Sequence, residues 1–340
     1  MRLRTALCGA LAITIGAGPA IAWAATSTGG APAVVQPGEA RDYVHKTMKG
    51  KKIVFVPIAY KGFELTGQWG SQLQRTFDNL GATLTVMDPN FDTNKMVQMI
   101  DAKINEGVDM LILHNPDVGV LTAQIKKAQS KGIYVVVVNM ISAQSADAFI
   151  GADVQSAAAD LATRMVKDCK AKGSTKVAII DGWGPDGFSI GANAGWDPVF
   201  KAAGMKVVSK QEGKYDPATA NQIASTVLQK DKDLCGFAVN WDIMATGAAQ
   251  AISAAGLKGK VGVYNLDASA TWCKSLRDGS VTAGAAYHVP GIGVAAAVVA
   301  QQLFELGEKP GSRRTISYVP HSIVDKSNID NTSGACYSMG

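Results

Sequence analysis

The sequence repeats one order of helical patterns, glycines and short apolar runs at a nearly constant spacing. Gly81 and Gly204 each open a strand-like run and lie 123 residues apart. Asn115 and Asn240 each follow an apolar run and lie 125 residues apart. Self-similarity at a fixed spacing is typical of two copies of one supersecondary array. Two similar lobes leave a cleft between them, and small molecules commonly bind in such clefts.

Each copy alternates apolar runs of strand length with longer helical patterns. Continuous Val, Ile and Leu within the runs indicates burial on both faces, which is typical of parallel strands covered by helices. The sequence therefore predicts an α/β protein with two doubly wound parallel-sheet lobes. The predicted apolar runs are 53–59, 82–87, 109–113 and 133–138 in the first copy, and the second copy extends from 176–180 to 281–286.

The first residues have the pattern of a secretory signal peptide. Arg2 and Arg4 precede an apolar stretch, and small residues follow it up to Ala24. The stretch is short for a bilayer span, and glycines and a proline interrupt it. We expect residues 1–24 to be a cleaved signal peptide, with Cys8 as a leader residue, and the mature protein to be periplasmic.

The remaining composition limits the partners that this chain can have. Loss of the two leader arginines lowers the net charge from +5 by two units, and no basic block remains to bind nucleic acid or membrane. Residues 25–49 begin with many small residues, and we expect them to be a flexible lead-in. The histidines are scattered and no cysteines have close ligand spacing, so we expect neither a metal nor a cofactor.

Four cysteines remain in the exported chain, and an even number permits disulfides in an oxidising compartment. Cys169 ends a helical segment and Cys235 begins a strand, both away from the predicted cleft. Cys273 lies in a late helix and Cys336 in the tail. Of the three possible connectivities we favour Cys169 with Cys235 and Cys273 with Cys336. Free buried thiols are the alternative.

In open parallel sheets, ligands bind beyond the carboxyl ends of the strands. Aromatic rings there can stack on the C–H faces of a ligand, while amide and carboxylate oxygens accept hydrogen bonds from its hydroxyl groups. An anionic ligand would require arginine or lysine, and these positions hold neither. We therefore predict a site for a small neutral ligand. The candidate residues are Tyr60, Phe63, Asn115, Asp117 and Asn139 in the first copy, and Trp183, Phe188, Trp241, Asp242, Asn265, Asp267 and His288 in the second.

Several of these residues have a structural interpretation as well. Asp117 and Asp242 each follow a strand and open a helix, so each can act as a helix N-cap. Asn139 and Asn265 can brace turns. A ring as large as that of Trp241 at a strand end favours ligand binding over packing.

One short motif is typical of serine hydrolases. Residues 187–191 match G-x-S-x-G around Ser189, and His288 follows later in the chain. In hydrolases the strand runs directly into this motif, whereas here residues 182–186 intervene. We therefore expect no enzymatic activity.

The motifs Leu-His-Asn-Pro-Asp at 113–117, Phe-Ile-Gly-Ala-Asp at 149–153 and Asn-Trp-Asp-Ile-Met-Ala-Thr-Gly at 240–247 carry a family resemblance. Over 51–330 the chain resembles type I periplasmic substrate-binding proteins of ABC transporters, in the ribose/galactose group. The resemblance implies a first lobe of 50–152 plus 289–318 and a second lobe of 153–288 plus 319–335. Three chain crossings, near 151–153, 288–290 and 318–320, would form the hinge. It also implies a monomer that closes on its ligand and docks on a membrane permease.

The chain departs from the sugar-binding pattern of that group at three positions. Asn139-Met140 stands where the group usually has Asp-Arg, residues 189–193 lack the usual arginine, and Asn265 stands where aspartate is common. We expect a less charged and more aromatic pocket. The sequence favours capture of a sugar or polyol for an ABC importer. A binding protein for an aromatic or other non-sugar compound, or a signalling receptor, is the alternative.

Overall fold

The structure is a computed structural model that describes residues 37–338. The predicted signal peptide lies outside these residues. The chain first forms α1 (Pro37–Met48), β1 (Lys52–Val56), α2 (Glu64–Leu80), β2 (Thr83–Val86), α3 (Thr93–Glu106), β3 (Met110–Leu113), α4 (Thr122–Ser130), β4 (Tyr134–Val138) and β5 (Ala148–Ala152). It continues with α5 (Val154–Ala171), β6 (Lys176–Asp181), α6 (Gly187–Ala202), β7 (Lys206–Glu212), α7 (Pro217–Lys230), β8 (Leu234–Val239), α8 (Asp242–Ala254), β9 (Gly262–Leu266), α9 (Ala270–Arg277) and β10 (Ala283–Tyr287). It ends with α10 (Val289–Leu306), β11 (Thr315–Val319), β12 (His321–Asp325) and a short 3-10 helix, Ile329–Asn331.

The strands form two six-stranded sheets of matching topology. The first sheet has the order β11-β5-β4-β3-β1-β2, and its strand pairs are parallel. The second has the order β12-β10-β9-β8-β6-β7, in which β12 runs antiparallel to β10. Apart from the edge strands β11 and β12, the two sheets repeat one strand order. The predicted fold class, two doubly wound α/β lobes, is confirmed.

The apolar runs of the sequence mark burial rather than the hydrogen-bonded length of each strand. Every residue of β3, β4 and β8 is buried, because helices cover both sheet faces. The run predicted at 53–59 is longer than β1, which ends at Val56. Ile58 and Ala59 are still only 3% and 2% exposed, in the loop that follows.

Aspartates begin several of the helices that follow the strands. Asp92, Asp153, Asp186 and Asp216 precede α3, α5, α6 and α7, and each accepts a hydrogen bond from the backbone N–H three residues later. Such caps satisfy one of the backbone donors that a helix N-terminus leaves free. These four carboxylates therefore set where the helices start.

The chain passes between the two sheets at three places. These lie between β5 and α5, between β10 and α10, and between β11 and β12. After its crossing, α5 packs against α6 of the second lobe, whereas α10 returns to pack against α2 of the first. Each lobe is therefore built from non-contiguous segments, and the crossings lie where the family resemblance places them.

The structure differs from the expected flexible lead-in over residues 37–48. These residues form α1, which packs against α10 and α2. Met48 is fully buried, Val44 packs against the same core, and the Tyr43 hydroxyl donates to the carbonyl oxygen of Glu305 over 3.0 Å. Apolar side chains four residues apart give this helix a face that the first lobe covers. The small-residue composition that indicated flexibility belongs to the residues before Pro37.

Both predicted disulfides are present. Cys169 at the end of α5 is bonded to Cys235 in β8, with the Cα atoms 5.5 Å apart. Cys273 in α9 is bonded to Cys336 in the tail, with the Cα atoms 5.6 Å apart. The alternative of free thiols is therefore excluded for these four residues. Both bonds lie within the second lobe.

The helix α10 is long and apolar enough to cross a membrane by length and composition. Ile292, Ala296, Ala300 and Leu303 lie on one face of it and are buried in the core of the first lobe. The same composition is common in core helices of α/β lobes. In this fold α10 is such a core helix.

Candidate functional site

A cavity lies between the lobes at the carboxyl ends of the strands, and we call it the inner chamber. Its empty space, part of which is open to solvent, amounts to ≈ 290 Å³. Its residues come from the loops and helix starts that follow strands in both sheets, as the topology of open parallel sheets requires. The first lobe contributes Ile58, Phe63, Leu65, His114, Asn139 and Met140. The second contributes Phe188, Tyr215, Asn240, Trp241 and Tyr287.

A second, wider cavity adjoins the inner chamber, and we call it the vestibule. Its empty space, part of which is open to solvent, amounts to ≈ 580 Å³, and it shares Phe63, Leu65 and Trp241 with the inner chamber. Its other residues are Gly62, Glu64, Asp242, Ile243, Ser269, Thr271 and Tyr337. The vestibule is therefore more polar and more acidic than the inner chamber.

Five aromatic side chains form a closed circuit of edge-on contacts across the cleft, and we call them the aromatic cluster. Its members are Phe63 and Phe91 from the first lobe and Trp183, Tyr215 and Trp241 from the second. Successive ring centroids lie 5.4 Å apart for Phe63–Trp241, 6.0 Å for Trp241–Tyr215, 5.2 Å for Tyr215–Trp183, 6.4 Å for Trp183–Phe91 and 5.6 Å for Phe91–Phe63. Edge-to-face geometry is the favourable arrangement for aromatic pairs. The cluster joins the two lobes and walls the cleft.

Two members of the aromatic cluster occupy equivalent places in the repeat. Phe91 follows β2 and Tyr215 follows β7, 124 residues apart. Both have left-handed backbone conformations, with φ of 63° and 57°, and an N-cap aspartate follows each of them. Neither residue is among the predicted site residues, because those residues were chosen from the ends of the other strands. Extending the repeat to β2 and β7 would have found them.

The inner chamber contains buried polar atoms that have no hydrogen-bond partner among residues 37–338. These atoms are both ring nitrogens of His114 and the side-chain oxygens of Asn139 and Asn240. His114 is fully buried, and burial lowers the pKa of its imidazole to about 3, so the ring is neutral. An unsatisfied buried polar group is destabilising by about 1–3 kcal/mol. A polar ligand in the chamber would supply the missing partners.

The Asp186 carboxylate organises the second-lobe wall of the chamber. Its Oδ2 accepts hydrogen bonds from the Tyr215 hydroxyl over 2.9 Å and from the Trp183 backbone N–H over 2.9 Å. Burial raises the pKa of the Asp186 carboxyl, and hydrogen bonds from Ser189 oppose that shift. Two members of the aromatic cluster are therefore held in place by one helix cap.

Ser189, the serine of the G-x-S-x-G motif, belongs to the same network. Its hydroxyl donates to Asp186 Oδ2 over 2.9 Å and accepts from the Gly182 N–H and from Asn240 Nδ2, over 3.1 and 3.0 Å. The side chain is 1% exposed. The motif lies in the first turn of a capped helix. The Ser189 hydroxyl makes structural hydrogen bonds and is therefore not exposed as a nucleophile.

Asp242 and Asp267 are both fully buried beside the vestibule. Asp242 Oδ2 accepts from the Ser269 N–H over 2.7 Å, and Asp267 Oδ2 accepts from the Tyr337 hydroxyl over 2.6 Å. Burial raises the pKa of Asp242 to about 6. Burial, followed by the neighbouring Asp242, raises that of Asp267 well above its usual range. Two carboxyls thus share a region of low polarity.

The chain tail completes the vestibule. Tyr337 pairs with Ser269 in a β-bridge, and its carbonyl oxygen accepts from the Ala270 N–H over 2.7 Å. The neighbouring Cys336 is bonded to Cys273 in α9, so the disulfide holds this segment against the second lobe. The tail position of Tyr337 in the sequence gave no signal of this role.

Five of the predicted site residues line the cavities. Phe63, Asn139, Phe188 and Trp241 line the inner chamber, and Asp242 lines the vestibule. Trp183 belongs to the aromatic cluster. The other six, Tyr60, Asn115, Asp117, Asn265, Asp267 and His288, line neither cavity.

In the first lobe, Tyr60, Asn115 and Asp117 have local contacts. The Tyr60 ring packs edge-on to Phe55, with the ring centroids 6.5 Å apart. Asn115 Nδ2 donates to the Ile141 carbonyl over 3.0 Å. Asp117 Oδ1 accepts from backbone N–H groups two and three residues later, over 2.6 and 3.2 Å, in a turn before α4, and Leu121 rather than Asp117 is the residue that precedes this helix.

In the second lobe, Asn265 and His288 are likewise bonded to the chain itself. Asn265 Oδ1 accepts from Trp272 Nε1 over 2.6 Å, and its Nδ2 donates to two backbone carbonyls. His288 caps α10, since its Nδ1 accepts from the Gly291 N–H over 2.9 Å. Asn265 thus braces the strand end, and His288 lies at a lobe crossing.

His114 faces the inner chamber, although the sequence analysis chose its neighbour Asn115. Both residues follow β3 directly, and residue type alone favoured the amide. The His114 ring lies edge-on to Trp69, with the ring centroids 5.1 Å apart. Within the part of the chain that the structure describes, no cluster of three or more His, Cys, Asp or Glu could hold a metal ion.

Comparison with known proteins assigns this architecture to a family. The family model described as a periplasmic binding protein domain matches residues 53–309. A D-ribose/D-allose-binding protein of Pseudomonas aeruginosa is 32% identical over 57% of this chain and 62% of its own length, which is less than two thirds. A fructose import binding protein of Bifidobacterium longum is 29% identical over 68% of this chain and 73% of its own length.

Solved structures show the same fold. A solute-binding protein of an ABC transporter from Burkholderia graminis, in complex with D-arabinose, has a TM-score of 0.76 and 21% identity, and the match covers 84% of this chain and 99% of that one. The two relatives are named as binding proteins for sugars. The chain has the type I periplasmic-binding-protein fold and belongs to the periplasmic binding protein family.

Proposed function

We propose that this protein captures a small sugar or polyol between its lobes and delivers it to the permease of an ABC importer. The observation that carries this proposal is the inner chamber, which both lobes line with aromatic rings and with buried polar atoms of His114, Asn139 and Asn240. Rings suit the C–H faces of a sugar, and the polar atoms suit its hydroxyl groups.

The relatives support the ligand class. Two of them are named for ribose or allose and for fructose, and the similar solved structure holds D-arabinose. The inner chamber has no Lys or Arg among the described residues that line it. This favours a ligand without an anionic group, because carboxylates and phosphates are usually bound by basic side chains.

The three lobe crossings would act as the hinge. A ligand that contacts Asn139 from one lobe and Trp241 from the other stabilises the closed arrangement over the open one, so binding shifts the population toward closure. The closed form would then dock on the permease. We further propose that residues 1–24 are a cleaved signal peptide, that the protein is a periplasmic monomer, and that it needs no cofactor.

A thermal-shift screen of the mature protein against pentoses, hexoses and polyols tests this function. A ligand that binds the native state alone stabilises it by about 2.7 kcal/mol at a hundredfold excess over Kd. We expect a large shift with one or a few polyhydroxylated compounds. If no sugar or polyol, charged or uncharged, changes the melting temperature at millimolar concentration, the proposed ligand class is wrong.

The aromatic cluster favours one alternative, a binding protein for an aromatic or other non-sugar compound. Its five rings give the cleft more aromatic surface than the sequence analysis had expected, since Phe91 and Tyr215 join the predicted residues. Small aromatic compounds in the same screen separate the two hypotheses, because only one class should raise the melting temperature. A signalling receptor would bind the same ligands, and capture of a sensor protein in place of a permease would identify it.

A further inference from the structure

The vestibule contains two carboxylates that lie close to each other and to the ligand path. Glu64 opens α2 in the first lobe and Asp242 opens α8 in the second. Each has one oxygen in use: Glu64 Oε1 accepts from the Thr271 hydroxyl over 3.2 Å, and Asp242 Oδ2 accepts from the Ser269 N–H over 2.7 Å. The two lobes therefore each bring one acidic side chain to the same cavity.

The second oxygen of each carboxylate is buried and unsatisfied. Glu64 Oε2 and Asp242 Oδ1 have no hydrogen-bond partner within residues 37–338, and Asp242 as a whole residue is fully buried. No Lys or Arg of the described chain lines the vestibule or the inner chamber. A buried carboxylate without a cationic partner is unfavourable. The cleft thus has negative charge that the protein itself does not neutralise.

The polar atoms that lack partners around the cleft are mostly acceptors. Asn139 and Asn240 each add one unsatisfied side-chain oxygen next to the two carboxylate oxygens, whereas a neutral His114 ring offers a single N–H donor. Every hydroxyl group on a ligand brings two acceptor lone pairs with its one donor. An ammonium group brings three donors and no acceptor, and so fits an acceptor-rich site better.

The walls of the vestibule are suited to a cation as well. Phe63 and Trp241 line it with aromatic rings, and Tyr337 adds a third. Aromatic faces attract cations, most strongly those of tryptophan. The space of ≈ 580 Å³ is wide enough for a substituent that extends from a ligand in the inner chamber.

The electrostatics of Asp242 agree with a missing positive charge. The ionisable groups around it are Glu64 on α2, Asp267 after β9, Tyr287 at the end of β10 and Tyr337 in the tail, and none of these is cationic. Burial, with a contribution from Glu64, raises the pKa of the Asp242 carboxyl to about 6. A cation placed beside it would lower that pKa again.

We propose that the vestibule is a subsite for a protonated amine, so that the protein binds an amino sugar or amino polyol more tightly than the parent compound in which a hydroxyl replaces the amine. The inference rests on the proposed capture of polyhydroxylated ligands and changes one property of the ligand, its charge. The hydroxyl-bearing part would occupy the inner chamber, and the ammonium would donate to Glu64 and Asp242.

Calorimetric titration with matched pairs of compounds tests the inference. The pairs are glycerol with 2-amino-1,3-propanediol, ribitol with 1-amino-1-deoxyribitol, glucose with glucosamine, and galactose with galactosamine. The N-acetyl hexosamines serve as uncharged controls of similar shape. In at least one pair we expect the amine to bind about tenfold or more tightly than its parent at pH 7.5, as hydrogen bonds to charged groups permit.

Variants distinguish a specific loss of the acidic subsite from a general loss of folded structure. Asp242→Asn and Glu64→Gln should each lower the ratio of amine affinity to parent affinity toward one. Asp233→Asn is the matched control, since this aspartate pairs with Lys176 on the second lobe and its side chain is 67% exposed. That variant should keep the wild-type ratio.

Proton release gives a readout that a purely structural role would not produce. Because the ammonium would lower the pKa of Asp242, binding near pH 6 should release protons with the amine and not with the parent compound. Titration in two buffers of different ionisation heat measures this release.

The outcomes distinguish this inference from the proposed function. If neutral parents bind as tightly as the amines or more tightly, the amine subsite is wrong and the capture of sugars or polyols stands. If Asp242→Asn leaves a measured amine preference unchanged, the assignment to these carboxylates is wrong. If neither member of any pair binds, the amine subsite is wrong, and the thermal-shift screen alone decides whether the capture of sugars or polyols stands.

Discussion

Trp241 connects several parts of the cleft. It lines both the inner chamber and the vestibule, and it contacts Phe63 of the opposite lobe. It is also the residue that precedes the first turn of α8, so the strand end of β8 sets its position. A half-buried indole with these contacts is placed to stack on a bound ligand.

Truncation of this ring should therefore weaken binding. We expect Trp241→Ala to reduce ligand affinity by about 1–3 kcal/mol, through lost stacking and lost apolar contact. Isothermal titration of the tightest ligand from the screen measures the change. Leu306→Ala is a control at the end of α10, where the side chain is 53% exposed and outside both cavities, and it should leave affinity unchanged. Equal affinities for all three proteins would assign Trp241 to packing.

Asp181 at the end of β6 predicts a pH dependence of stability. It is 6% exposed, and Asn193 Nδ2 donates to both carboxylate oxygens over 3.2 Å. Burial raises the pKa of this carboxyl from 3.8 to about 6. A folded-state pKa above the unfolded value gives stability that is present below about pH 4 and lost as the pH rises through 6.

The variant Asp181→Asn isolates this effect because asparagine does not titrate. Between pH 4 and pH 7 the wild type should lose about 1–3 kcal/mol of unfolding free energy relative to the variant. Urea unfolding of both proteins at several pH values across this range measures the difference. A difference between the two proteins that does not vary with pH would contradict the prediction.

At the scale of elements, the start of α6 shows how a sequence motif takes its meaning from its surroundings. The glycines and serine of G-x-S-x-G occupy the first turn of this helix, where Asp186 caps the backbone and Ser189 joins the cap. The intervening residues 182–186 form the loop that carries Trp183 into the aromatic cluster. Residues 187–191, which resemble a hydrolase motif, therefore support a wall of the binding cleft.

Each of the two disulfides should contribute to the stability of the protein. Removal of either one frees the unfolded chain from a loop of 66 or 63 residues, which should reduce stability by about 2–4 kcal/mol. Chemical unfolding of Cys169→Ala/Cys235→Ala and of Cys273→Ala/Cys336→Ala measures this loss. Unchanged unfolding midpoints would contradict it.

The second pair should also change ligand binding. The bond from Cys273 to Cys336 anchors the segment that carries Tyr337 into the vestibule, whereas the bond from Cys169 to Cys235 lies away from both cavities. Calorimetry below the melting temperature of both variants should show weaker binding in the Cys336 variant alone. The Cys169 variant is thus the matched control. Equal ligand affinities in the two variants would show that the tail segment does not contribute to binding.

At the scale of the whole molecule, the structure has its lobes in contact. Phe63 meets Trp241, and Glu64 accepts a hydrogen bond from Thr271, across the cleft. Three short crossings join the lobes, and crossings of this kind permit hinge closure. A backbone hydrogen bond from the Val118 N–H to the Pro185 carbonyl, over 3.1 Å, also joins the lobes in this arrangement.

This arrangement predicts a ligand-dependent change in size. The radius of gyration of the mature protein should fall when the tightest ligand saturates it, toward about 19 Å for a compact chain of this length. Small-angle X-ray scattering with and without ligand measures the change. Trp241→Ala should need more ligand for the same compaction. Identical scattering curves with and without saturating ligand would contradict closure.

Much of the molecule could be predicted from local patterns. Apolar runs separated by helical periods predicted both sheets, and the spacing of repeated asparagines and glycines predicted two similar lobes. Of the residues chosen after strand ends, Phe63, Asn139, Phe188 and Trp241 line the inner chamber. The helix over 37–48 was missed because small residues before it dominated the composition.

What the sequence by itself determined was the alternation of strands and helices and the duplicated fold, whereas it only favoured one pairing of the four cysteines. Periodic burial is a local property, so a window of residues suffices to detect it. Only the tertiary structure decided that His114 rather than Asn115 faces the chamber, and that Tyr337 returns to the vestibule. The direction of a side chain in a loop depends on packing between segments that are distant in sequence, and no local pattern records it.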